Sequence, residues 1–111
     1  MAVMYVNNLT LAKVGQRLRA TAKVVDTNGN GLQDAVVTVS IKKPLDETFP
    51  TPSGWYFDFT TNSQGIITEY APAGWVLHAG GEYEVKVHWI ALPGYTWDWH
   101  QGFRAMRYTW Q

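Results

Sequence analysis

Apolar and polar residues alternate with a period of two along most of this chain, the pattern of strands with one buried and one wet face. In "QRLRATAKVV" Leu18, Ala20, Ala22 and Val24 share one side, and Arg17, Arg19, Thr21 and Lys23 share the other. "DAVVTVSI" sets Ala35, Val37, Val39 and Ile41 against Val36, Thr38 and Ser40. "EYEVKVHWIAL" is the clearest strand, with Tyr83, Val85, Val87 and Trp89 on one face and Glu82, Glu84, Lys86 and His88 on the other. "WYFDFTT" alternates Trp55, Phe57 and Phe59 with Tyr56, Asp58 and Thr60, and "MYVNNL", "IITEY" and "FRAMRYTW" supply three further short strands.

The connections carry turn chemistry. "TNGNG" holds two Asn-Gly steps that favour positive φ, and "NSQG" turns the chain again. "KKPLDETFPTPSG" contains three prolines and predicts a long irregular crossing, either a binding loop or a cover over a sheet edge. "APAGWVLHAGG" is a second irregular passage, and "PGYTWDWHQG" reads as a turn-rich loop before the last strand. No segment has the period and caps of a helix. The expectation is an all-β, antiparallel sandwich of about seven strands, folded as a single domain over residues 1–111.

Composition narrows the function. The chain has no cysteine, so disulfides, thiolate nucleophiles and cysteine-based metal sites are excluded. Nine Lys plus Arg balance nine Asp plus Glu, giving a formal net charge of zero, so no nucleic-acid partner is expected. No run of eighteen apolar residues is present, so no membrane insertion is expected, and the opening "MAVMYVNN" lacks the basic and apolar segments of a signal peptide. Six Trp and six Tyr are more than a core of this size can bury. With only 16% charged residues, they point to a weakly charged surface suited to a neutral partner or a neighbouring domain.

The order "VVDTNGNGLQDAVVTVSI", "FTTNSQGIITEY", "AGGEYEVKV" resembles the bacterial immunoglobulin-like domains of the invasin and intimin type, and related modules appended to secreted enzymes and surface-layer proteins. Asp26, Gly29, Ala35, Thr61, Gly65, Gly81 and Tyr83 occupy corresponding roles, and the likeness covers roughly residues 13 to 92. It implies an immunoglobulin-like β-sandwich in a secreted or cell-surface bacterial protein, acting in adhesion, as a spacer, or in carbohydrate binding. Tyr83 is expected to make the corner hydrogen bond of such folds.

Two candidate sites stand out. Asp26, Asn28, Asn30 and Gly31 match the first, third, fifth and sixth positions of a helix-loop-helix calcium loop, with Asp34 at the ninth. Val37 stands where that motif needs a bidentate Glu, and no helix flanks it. Turn chemistry accounts for the same residues better, with Asn and Gly at left-handed positions and Asp26 or Asp34 capping the amides; Ca2+ is the only cofactor the sequence suggests. The second site is "GYTWDWHQGF". If extended, it sets Tyr95, Trp97 and Trp99 on one side, with Asp98 and His100 on the other. Alternating rings with a few directional polar groups suit a polysaccharide or cell-wall glycan.

A buried indole between the sheets is expected from Trp89 and from one of Trp55, Trp75 and Trp110. Catalysis finds little support. His78, His88 and His100 lack metal-ligand spacing, Asp58 and Asp98 could be argued into a glycosidase pair but nothing in their spacing demands it, and no serine lies in a Gly-x-Ser-x-Gly turn. The expected function is therefore a noncatalytic module of a larger extracellular protein. It either binds a neutral glycan or serves as a structural spacer or adhesin-type domain that buries the same aromatics against a neighbouring domain or protein partner.

Overall fold

The computed structural model describes residues 2–42, 55–71 and 82–109, the side chains of Lys42 and of residues 55–57 excepted. Eight strands run in the order β1 (Ala2–Val14), β2 (Arg17–Asp26), β3 (Val36–Lys42), β4 (Trp55–Thr60), β5 (Ile66–Tyr70), β6 (Glu82–Ala91), β7 (Tyr95–Gly102) and β8 (Ala105–Thr109). They form two four-stranded sheets, ordered β5-β2-β1-β7 and β4-β3-β6-β8. All pairs are antiparallel except β1 with β7, which is parallel.

The strand count corrects the expected seven. The segment read as a turn-rich loop at 93–102 contains β7, whose partner β1 lies at the other end of the sequence. At Gly102–Arg104 the chain leaves the first sheet and enters the second as β8 against β6. Gly102 makes that passage possible, with φ 69° and no room for a Cβ, which would fall on the Val6 carbonyl. The next amide, Phe103 N–H, donates to the same carbonyl at 2.9 Å.

The alternation read from sequence builds the core. Met4, Val6, Leu9 and Leu11 of β1 and Leu18, Ala20, Ala22 and Val24 of β2 face Val37, Val39 and Ile41 of β3 and Tyr83, Val85 and Val87 of β6. Tyr83 is fully buried within it. A one-residue slip between β3 and β6, where Thr38 opposes Trp89 and Val39 opposes Val87, inserts His88 as a bulge. Beyond it the inward residue is Ile90, not Trp89. Trp89 is thus not the core indole; it is 60% exposed, and Trp97 of β7 is buried instead at 9%.

Thr61, just after β4, ties the β4–β5 connection to the β2–β3 connection. Its Oγ1 accepts from Ala35 N–H at 2.9 Å and donates to the Leu32 carbonyl at 2.6 Å, both bonds buried. Its own N–H donates to Ala35 and its carbonyl accepts from Asp34 N–H. One small side chain therefore satisfies polar groups of the segment entering β3, a need that any buried irregular backbone creates.

Candidate functional site

The residues of the first candidate form a hydrogen-bonded turn. Gly29 N–H donates to the Asp26 carbonyl, and Asp26 N–H donates to Asn30 C=O. The Asp26 carboxylate accepts from the N–H groups of Asn28 at 2.8 Å and Asn30 at 3.0 Å, and from Asn30 Nδ2 at 3.4 Å. The Asn30 amide, foremost, holds this carboxyl below its usual range.

The turn between β4 and β5 repeats the pattern residue for residue. Asn62 Oδ1 accepts from Gln64 and Ile66 N–H, Gly65 N–H donates to Asn62 C=O, and Asn62 N–H donates to Ile66 C=O. Gly29 and Gly65 take the same left-handed place, with φ 85° and 80°. A neutral carboxamide thus does in one turn what a carboxylate does in the other, so the negative charge of Asp26 is not what the geometry requires. Asp34 is exposed in a left-handed conformation with φ 67°, its N–H bonded to Thr61. Among the described residues no group of three or more His, Asp or Glu converges as a metal site.

The second candidate lies on β7 and the crossing after it. Met4 pairs with Trp97 and Val6 with Gly102, so the four residues 98–101 stand opposite Tyr5 alone and are pushed out of the ladder. Asp98 holds this protrusion: Oδ1 accepts from His100 N–H at 3.0 Å and Oδ2 from Gln101 Nε2 at 2.8 Å. Those bonds, that from Gln101 first, lower the Asp98 carboxyl from its ordinary value. Trp99 stacks on His100 with ring centroids 3.7 Å apart and planes tilted by 31°, and the Arg104 guanidinium lies 4.8 Å from the Trp99 ring.

The five residues expected to form one surface therefore separate. Trp99 and His100 come together on the protrusion, and Asp98 fixes its backbone. Trp97 turns into the core, and Tyr95 is half-buried against it. The structure adds residues that alternation did not point to. β8 pairs only with Glu82–Lys86, and just beyond, Arg104 C=O accepts from Val87 N–H. There Trp89 of the second sheet meets Trp97 of the first in a T-shaped contact with centroids 6.0 Å apart. Phe103, on the crossing itself, is 44% exposed, and Trp99 is 46% exposed. Trp89 has the most open surface of the three.

The remaining polar candidates are spread over the fold. Asp58 on β4 accepts from Thr38 Oγ1 at 2.6 Å. β4 and β7 are edge strands at opposite ends of the two sheet orders, so Asp58 and Asp98 do not face one cleft. His88 Nε2 lies 2.7 Å from the Oγ of buried Ser40, and His100 belongs to the aromatic protrusion. His78, Trp75, Gly81, Trp110 and most of the proline-rich crossing lie outside the described residues, as does the side chain of Trp55.

Comparison of the chain with known protein families, with characterised proteins and with solved structures finds no match. Among the described residues no helix is long and apolar enough to cross a membrane.

Proposed function

We propose that this chain is an immunoglobulin-like, noncatalytic module of a secreted or cell-surface protein that binds a neutral polysaccharide or cell-wall glycan on the aromatic surface of Trp89, Trp99 and Phe103. The observation that carries this reading is the exposure of three large aromatic side chains, Trp89 on β6, Trp99 on β7 and Phe103 on the crossing to β8, on a chain of zero net charge. Exposed indoles offer an apolar face to the C–H groups of a sugar ring, and a neutral ligand asks for no compensating charge. His100, Gln101 and Arg104 bring hydrogen-bond donors to the same segment, which a hydroxyl-rich ligand needs for orientation. Trp97 supports the surface from beneath through its contact with Trp89. Two facing sheets in which the last strand passes from one to the other support the immunoglobulin-like assignment.

The test is native affinity electrophoresis through gels containing xyloglucan, galactomannan, mixed-linkage glucan or soluble peptidoglycan fragments. Wild-type protein is expected to be retarded by at least one of them, and Trp89→Ala with Trp99→Ala to remove the retardation while the melting temperature stays close to wild type. Unretarded wild-type protein in every gel would defeat the reading and favour burial of these rings against a protein partner, visible as concentration-dependent sedimentation.

A further inference from the structure

The zero net charge conceals an uneven distribution. The inward residues of β2 are Leu18, Ala20, Ala22 and Val24, so Arg17, Arg19 and Lys23 stand on the outer face of the first sheet. The register across β1, β2 and β5 sets their neighbours on that face. Ala12 and Tyr70 flank Arg19, Thr10 and Thr68 flank Thr21, and Asn8 and Ile66 flank Lys23. All are uncharged. Among the described residues no carboxylate bonds to any of the three cations, whereas Arg107 of the other sheet pairs with Glu82 and Glu84. Arg19 is half-buried, and its Nε is a buried donor with no acceptor.

We propose that this face binds an acidic polysaccharide along the row Arg17, Arg19 and Lys23. Alternate residues of a strand are about 7 Å apart, so Arg17 and Arg19 are direct neighbours and Lys23 follows beyond Thr21 after about 14 Å, a line of like charge that a linear polyanion can follow. Guanidinium groups match carboxylates with paired hydrogen bonds. The Thr10, Thr21 and Thr68 hydroxyls and the Asn8 amide, set across three strands, complement the hydroxyls that a polysaccharide carries between its charges.

A nucleic acid fits less well. The Tyr70 ring already carries the Arg17 guanidinium at 4.9 Å, with Arg17 anchored by a 2.8 Å bond to the Ala71 carbonyl, so among the described residues that flank the row there is no uncovered ring on which a base can stack. A flat sheet face also has no element to enter a groove. The row is separated from β7 by β1 and is independent of the aromatic surface.

The experiment runs the full 111-residue chain through native gels containing polygalacturonate, dextran sulfate or uncharged dextran. Retardation by polygalacturonate is expected, falling as salt is raised, weakened at least tenfold in Arg19→Gln with Lys23→Gln, and largely kept in Arg19→Lys with Lys23→Arg. Trp89→Ala with Trp99→Ala should leave it unchanged, which separates this surface from the neutral-glycan site. Thermal melts check that each variant is folded. No retardation by either acidic polymer, equal retardation of wild type and the glutamine variant, or tighter binding to single-stranded DNA or anionic vesicles would overturn the proposal.

Discussion

Replacing Thr61 by Val removes a hydroxyl and leaves a side chain of nearly the same shape. The packing term is then small and the loss is polar. Two buried backbone groups lose their partner, the Ala35 N–H at 2.9 Å and the Leu32 carbonyl at 2.6 Å. Each orphaned buried group costs about 1–3 kcal/mol, so the pair costs about 2–4 kcal/mol once some relaxation toward water is allowed. That is a large share of the ~5–15 kcal/mol that holds a domain of this size together. At about 4–8 °C per kcal/mol the melting temperature should fall by ~10 °C or more. Thr61→Ser keeps both hydrogen bonds and gives up one methyl, for about 1 kcal/mol. Urea titration followed by far-ultraviolet circular dichroism compares the three proteins without relying on tryptophan fluorescence. A Thr61→Val protein within ~0.5 kcal/mol of wild type, or a Ser variant as damaged as the Val variant, would falsify the assignment of the hydroxyl as the tie between these loops.

Three further outcomes are expected. Gly65→Ala, at φ 80° with its Cβ against the Val24 carbonyl, should destabilise by ~2–4 kcal/mol in thermal melts, whereas Gly94→Ala, at φ 86° in open space, should cost only about 1 kcal/mol. Trp97→Ala should cost about 3–5 kcal/mol as a core truncation and Trp89→Ala under about 1 kcal/mol, so equal losses would show that the two rings have been given each other's roles. Both Asp26 and Asp98 have folded-state carboxyl pKa values below the ordinary 3.8, so their contribution to stability is fully present above that value and is lost as pH falls through the lowered pKa. Carboxyl-carbon NMR titration should give both midpoints below 3.8; Asp26→Asn should retain the turn, as Asn62 does in its own, and calcium in place of chelator should leave the melting temperature unchanged.

Where a strand pairs with neighbours that keep its parity, its faces were readable directly: the inward set of β2 and the Val37, Val39, Ile41 row of β3 are those that alternation names. Turn chemistry was equally local, since the Asx-x-x-Gly spacing of Asp26 to Gly29 and Asn62 to Gly65 carries its own hydrogen bonds. The candidate site was harder to read because it depends on pairing between distant segments. β7 is a strand because residues 2–6 lie beside it, and nothing within "YTWDWHQG" announces that parallel partner. Trp89 is exposed because the His88 bulge reverses parity. The trace of it in sequence is that Ile90 and Leu92 form an aliphatic alternation out of phase with Trp89. Counting aromatics revealed an excess over what the core needs, but not which indole was buried.

The most direct test of binding through the aromatic surface is to follow the six indole N–H resonances of 15N-labelled protein while soluble oligosaccharides from each neutral polymer of the gel panel are added. The expected result is saturable shifts of the Trp89 and Trp99 signals, assigned through single substitutions, with the buried Trp97 signal moving less. Shifts confined to other tryptophans, or none with any oligosaccharide, would contradict it.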